Sequence, residues 1–275
     1  MRHHKILFGF IILLSVSSWA ISDEQKNLNE ARQHFEKQNW SKAIAEYNKI
    51  PETSDRYFLA LEEKAWAYIH LDQLDKAIAI TRTLTSPALV SLVGTEPYLL
   101  QAIAYLKLCD YVSVFQTLKE FKTHKRTQVE AVQQIAKKKK NGISDAALSV
   151  WMENPNDWKK IAPYLSQMPL LFYRDTKMQS AAKSNNKSLL MDRLQQLAIE
   201  ENNENFRILQ KLNLIEVESI QRVHIATEFS GKQGENIEKD KYDLVFKDTN
   251  EVWLDELDSY QATVNRCKKK SGRTM

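Results

Sequence analysis

The side chains able to do chemistry are scattered along this chain. Apart from His3 and His4 in the first residues, His34, His70, His124 and His224 stand singly, with no second histidine at metal-ligand spacing. No HExxH, nucleophile elbow, phosphate-binding glycine loop or CxxC occurs. The densest acidic stretch is Asp248, Glu251, Asp255, Glu256 and Asp258. A calcium loop of the EF-hand type needs oxygen ligands at alternating positions and glycine at the sixth. Counting from Asp248, the fifth and sixth residues are Val252 and Trp253, so the pattern fails and a solvated acidic segment is expected. No catalytic residue, metal or cofactor is therefore expected, and the chain reads as a non-enzyme.

The two cysteines, Cys109 and Cys267, leave two readings open. In an oxidising compartment they pair and tie the C-terminal segment back to the middle of the chain. Otherwise Cys109 is a small core residue and Cys267 a free thiol, a choice that sequence does not make.

The elements that would position any site are helices. Only six Gly and six Pro occur in 275 residues, with Ala, Leu, Glu, Lys and Gln abundant. The stretch Ala31–Tyr47, ARQHFEKQNWSKAIAEY, recurs 34 residues on as AWAYIHLDQLDKAIAIT. A looser copy, AIAYLKLCDYVSVFQTL, starts at Ala102, 37 residues after Ala65. In each, a small residue (Ala31, Ala65, Ala102) lets two helices approach. A large apolar residue nine positions on (Trp40, Leu74, Tyr111) opens the second helix, and a slim one follows three later (Ala43, Ala77, Val114).

These residues resemble the tetratricopeptide repeat (TPR) family, whose repeat is a helix–turn–helix of 34 residues. The resemblance covers roughly residues 25–122. It implies a mostly α-helical solenoid of stacked hairpins, a binding scaffold in which each pair closes its core against the next. It also implies a groove lined by the residues one, four and five after each small position. Carried over, these are Arg32, Phe35 and Glu36; Trp66, Ile69 and His70; Ile103, Leu106 and Lys107. The family's chaperone-binding members clamp a peptide carboxylate with Lys, Arg and Asn. Here Arg32 and Lys107 are the only cations among the nine, and Phe35, Trp66, Ile69, Ile103 and Leu106 give an apolar middle. Such a patch suits an amphipathic helix or extended apolar peptide. The competing expectation is that the chain's own later helices fill it.

At the start, Arg2 and Lys5 flank a basic head, and Ile6–Val16 is apolar but for Gly9 and Ser15. Ser18-Trp19-Ala20 follows as a small-x-small site, so residues 1–20 are expected to be a secretory signal peptide cleaved after Ala20. A retained membrane anchor is the alternative, but a spanning helix needs about 20 apolar residues. Removing Arg2 and Lys5 leaves 37 basic against 35 acidic residues, a balance that gives nucleic acid no foothold as a partner.

Residues 21–125 are thus expected to hold about three TPR-like repeats, and 126–230 further helices. In the second region Ser149, Trp158, Ile161 and Leu165 match the repeat spacing, as a degenerate fourth repeat would. Leu190, Leu194 and Leu197, then Ile208, Leu212 and Ile215, give an apolar stripe broken by polar residues from Glu200 to Asn205. Two helices or one kinked helix fit this, capping the repeats in preference to forming a coiled-coil dimer. From Gly231 the composition changes. A polar linker precedes alternating Tyr242, Leu244 and Phe246 and two further strand candidates, Val252–Leu257 and Tyr260–Val264, expected as a small β-hairpin or meander before a basic end. The stretch FKDTNEVWLDELDSY resembles a tail carried by bacterial envelope TPR proteins. The export signal and the TPR-like repeats together imply an exported, envelope-associated adaptor that binds another envelope protein or peptide by apolar contacts. A structural subunit of a larger envelope or motility assembly is the alternative, and an envelope hydrolase a distant third.

Overall fold

The computed structural model describes residues 23–137, 142–153, 158–170 and 172–232. Among them are ten α-helices, two short 3-10 helices and no strand. The expected signal segment and the expected β-hairpin lie outside the described residues.

The first six helices form three hairpins: α1 (Asp23–Glu36) with α2 (Trp40–Tyr47), α3 (Tyr57–His70) with α4 (Leu74–Leu84), and α5 (Glu96–Leu108) with α6 (Tyr111–Ala136). One turn closes all three. Its first residue takes the left-handed conformation without being glycine: Gln38 (φ 60°), Asp72 (φ 57°) and Cys109 (φ 56°). The N–H of that residue bonds the carbonyl three back, and the next N–H bonds the carbonyl five back. The pairs are Gln38 to Phe35 and Asn39 to His34, Asp72 to Ile69 and Gln73 to Tyr68, and Cys109 to Leu106 and Asp110 to Tyr105, at 2.8–3.1 Å. This double bond satisfies two carbonyls that a helix end leaves open. It also turns the chain so tightly that small residues must meet where the helices cross. Ala31, Ala65, Ala102, Ala43, Ala77 and Val114 are all 0% exposed.

The C-terminal part is built differently. Helix α7 (Gly142–Glu153) leads to a single turn, α8 (Trp158–Ile161), then 3-10 turns at Ala162–Gln167 and Phe172–Arg174, α9 (Thr176–Lys183) and α10 (Lys187–Lys232). The fourth repeat expected at Ser149–Leu165 is not formed. Ser149 is exposed while Ala147, Leu148 and Trp151 are buried, and the second element is one α turn followed by 3-10 helix. The same turn does recur, but between α9 and α10. There Asn185 (φ 50°) bonds Ala182 and Asn186 bonds Ala181. Asp175 caps α9 by accepting from the Met178 N–H at 2.8 Å. Its carboxylate also takes two bonds from Arg193 of α10, at 3.1 and 2.7 Å.

Helix α10 is one uninterrupted element of 46 residues, about 69 Å long at 1.5 Å per residue. Leu190, Leu194 and Ala198 enter a core with Val132, Trp151, Met168, Phe172 and Met178. Ile208, Leu212 and Ile215 pack on α5 and α6 among Tyr98, Tyr105, Val114 and Phe121. The helix thus caps the third hairpin. Its polar middle does not break it, because Asn205 is buried and its Oδ1 accepts from the Thr95 hydroxyl at the start of α5. No helix of the described residues is long and apolar enough to cross a membrane.

Candidate binding face

The nine residues expected to line one groove are placed on α1, α3 and α5, yet they do different things. The first of each of the first two triplets reaches to the next hairpin. Arg32 donates from Nε to both oxygens of Glu63 on α3 at 3.0 Å, and the Tyr47 hydroxyl donates to the same carboxylate at 2.9 Å. Burial, then the Glu63 charge, pushes the Tyr47 phenol well up, so it stays a donor. Trp66 likewise donates from Nε1 to Glu96 on α5 at 2.6 Å. These are joints between hairpins, and Arg32 is not the free groove cation that sequence reasoning expected. Lys107 is exposed and 3.3 Å from Asp72, a surface pair of small value.

Ile69 corrects a second expectation. It is 5% exposed and packs with Ala65, Leu74, Ala77, Leu100 and Ala104 between the second and third hairpins, so it offers nothing to a partner. Ile103 and Leu106 are half-buried against the cluster that α10 supplies with Ile208, Leu212 and Ile215. The expectation that the chain's own long helix would fill the groove therefore holds at the third hairpin.

Open surface remains at the first two hairpins. Phe35 and Trp40 meet edge to face at 4.7 Å, and Trp40 stacks on His70 at 4.2 Å and 6°. Phe35 also meets His70 edge-on at 5.8 Å, with Trp66 6.2 Å away on the other side of that ring. His70 and Glu36 are exposed, and Phe35, Trp40 and Trp66 are half-buried. Four rings from α1, α2 and α3 thus form one contiguous aromatic cluster, partly open to solvent. Trp40 was legible only as a core position. It lies half open because the stack on His70 holds its ring across the seam between two hairpins.

A second polar centre escaped the sequence altogether. Lys125 of α6 is 0% exposed. Its ammonium donates to the Val90 and Val93 carbonyls and, at 3.1 Å, to Gln128 Oε1. Burial lowers its pKa to about 8, against the opposing pull of Glu201 and Glu62. Glu62 is itself pushed well up by burial and then by Glu96, and burial raises Glu201, whose carboxylate accepts from the Leu170 N–H. Thr95 donates to Asn205 Oδ1 at 2.9 Å. The polar break from Glu200 to Asn205 was the one trace of this centre in the sequence; Lys125 left none. A shifted lysine beside carboxylates invites a catalytic reading. With no exposed surface and three acceptors for its three N–H donors, Lys125 instead ties the 86–95 loop to α6.

Cys109, at the C-terminal cap of α5, is 6% exposed and packs with Tyr111 and Val223. It is disulfide-bonded, and the chain's other cysteine is Cys267, outside the described residues. Among the described residues no group of three or more His, Cys, Asp or Glu is arranged to hold a metal ion. Comparison of the chain with protein-family models, with curated proteins and with solved structures finds no match in any of the three.

Proposed function

We propose that this chain is a non-catalytic, TPR-like adaptor of the bacterial cell envelope, exported by its N-terminal segment, that binds an apolar or aromatic segment of another envelope protein. The observation that carries the reading is the Phe35–Trp40–Trp66–His70 patch, left open on the first two hairpins while α10 covers the equivalent part of the third. Flat rings supply contact area at low conformational cost, which favours them at binding surfaces. The shared turn and the 34-residue spacing support the TPR-like assignment. The binding mode is apolar docking and not carboxylate capture, since Arg32 is tied to Glu63.

The test is photo-crosslinking in the native envelope from position 70, with a residue of the opposite surface, Asn48, as control. A discrete protein captured from position 70, absent from position 48 and lost on Trp40→Ala, supports the adaptor. Equal capture from both positions counts against it. The second reading, a structural subunit acting through its outer faces, is favoured by one observation: large apolar side chains on the outward side of α10.

A further inference from the structure

Six of the nine exposed large apolar side chains among the described residues lie on one stretch of α10: Ile199, Phe206, Leu214, Val217, Ile220 and Ile225. Scattered surface apolars need no explanation, but a set on one side of one helix does. At about 100° per residue all six fall within a stripe about 140° wide, centred opposite the buried Ile208, Leu212, Ile215 and Ser219. The stripe therefore points away from the third hairpin that α10 caps. From Ile199 to Ile225 it runs about 39 Å.

Charged residues line one edge of this stripe, and their order has a direction. Toward the C-terminus they are Glu200, Glu204, Arg207, Lys211, Glu218 and Arg222. Within the helix they form two pairs: Arg207 donates from Nε to Glu204 at 3.0 Å, and Arg222 to Glu218 at 2.6 Å. Laid beside itself in the same direction, this edge sets like charge against like. Reversed about a two-fold axis near Asn213, it sets Glu204 beside Arg222 and Arg207 beside Glu218 of a second copy. Each half of the contact then holds two carboxylates and two guanidinium groups. The same register brings Phe206 over Ile220 and Ile199 close to Ile225, so the apolar and the charged residues agree on one arrangement.

The area suffices as well. Leu214 is 70% and Phe206 61% exposed. The six side chains together present roughly 600 Å² per copy, and the charged edge brings the contact toward the size of a standard interface, about 800 Å² per partner. Because the buried face of α10 is opposed to the stripe, the bodies of the two copies lie on the outer sides of the helix pair.

We infer that the outward face of α10 is a homodimer interface, in which two copies of this chain pair antiparallel along residues 199–225. This is independent of the adaptor reading. Where both hold, the dimer carries two open aromatic clusters and engages a partner with two docking segments by avidity.

The experiment follows the mass of the purified chain by light scattering from about 1 to about 100 µM. The expected mass rises from that of one chain to that of two. Phe206→Glu combined with Val217→Glu, both exposed positions, is expected to weaken the dimer at least about tenfold, with circular dichroism confirming that the helices are kept. Arg207→Glu with Arg222→Glu makes the charged edge acidic, and Glu204→Lys with Glu218→Lys makes it basic. Each of these double variants is expected to be monomeric alone and dimeric when the two are mixed. A photo-crosslinking phenylalanine at position 206, in a mixture of isotopically light and heavy chains, is expected to bond residues 217–222 of the other copy. A single-chain mass over the whole range overturns the proposal, as does a dimer indifferent to both sets of charge changes. A bond from position 206 to residues 204–208 of the other copy overturns the antiparallel pairing, and a bond only within the same molecule gives the stripe to another part of the chain and overturns it equally.

Discussion

The two halves of this molecule close their cores by different means. Within α1–α6 each hairpin closes on itself and on the next: a short turn repeated with the same two hydrogen bonds, small residues at the crossings, and joints such as Arg32–Glu63 and Trp66–Glu96 that span about one repeat. From α6 onward the core is assembled around one long helix. Val132, Trp151, Phe172 and Leu194 share a cluster, and Thr95 meets Asn205 110 residues away. Local closure leaves surface free between hairpins, which is where the aromatic patch lies. Long-range closure gathers residues such as Lys125 and Asn205 whose polar groups bond within the fold.

The largest effect separates the halves directly. Phe172 is 0% exposed in the C-terminal core and stacks edge-on with Trp151 at 5.9 Å, so Phe172→Ala is expected to cost about 3–5 kcal/mol. Phe35→Ala, in the half-buried patch, is expected to cost about 1–2 kcal/mol, because the ring packs on the first hairpin on one side only. Urea unfolding of both variants measures the two. Near-equal losses would mean that the patch is core and not binding surface.

The next effect depends on pH. A carboxyl whose folded pKa is raised contributes stability that is complete below its unfolded value, about 4.5 for Glu62, and that is lost as pH rises through the folded pKa. Glu62→Gln keeps the shape and removes the buried charge. It is expected to raise Tm by a few degrees at pH 7, the shift that about 1 kcal/mol gives at this size, and the gain should close below pH 5. Calorimetry at the two pH values decides. A pH-independent gain would place the effect in packing and not in titration.

The smallest effect tests the repeated turn. Gln38 holds φ 60° on an exposed turn, a conformation that costs a residue with a Cβ about 1 kcal/mol and glycine almost nothing. Gln38→Gly is expected to stabilise by about 0.5–1 kcal/mol in urea unfolding. A loss would show that the turn is set by something other than its two backbone bonds.

The same contrast explains what the sequence discloses. Ala31, Ala65 and Ala102 announce helix crossings because hairpin packing is local and repeats its demands at fixed spacing. Ser149 and Trp158 mimic that spacing, but Ser149 is exposed and the element that opens at Trp158 is a single α turn followed by 3-10 helix. Asn185 carries the same turn on a hairpin whose small position is Met178, and so shows no repeat. Ile69 and Arg32 were assigned to a groove because position in the repeat says which face a residue is on, not what the neighbouring hairpin does with it. Lys125 was illegible because its carbonyl partners, Val90 and Val93, lie 35 and 32 residues away in a loop.

The central claim is that the open patch on the first two hairpins, and no other surface, takes the partner. The direct measurement is in-cell photo-crosslinking from positions 70 and 217 side by side. The account predicts one discrete foreign protein from position 70 and none from position 217. A foreign protein captured from position 217 and none from position 70 would contradict it, and would make the chain a structural subunit that uses the back of α10.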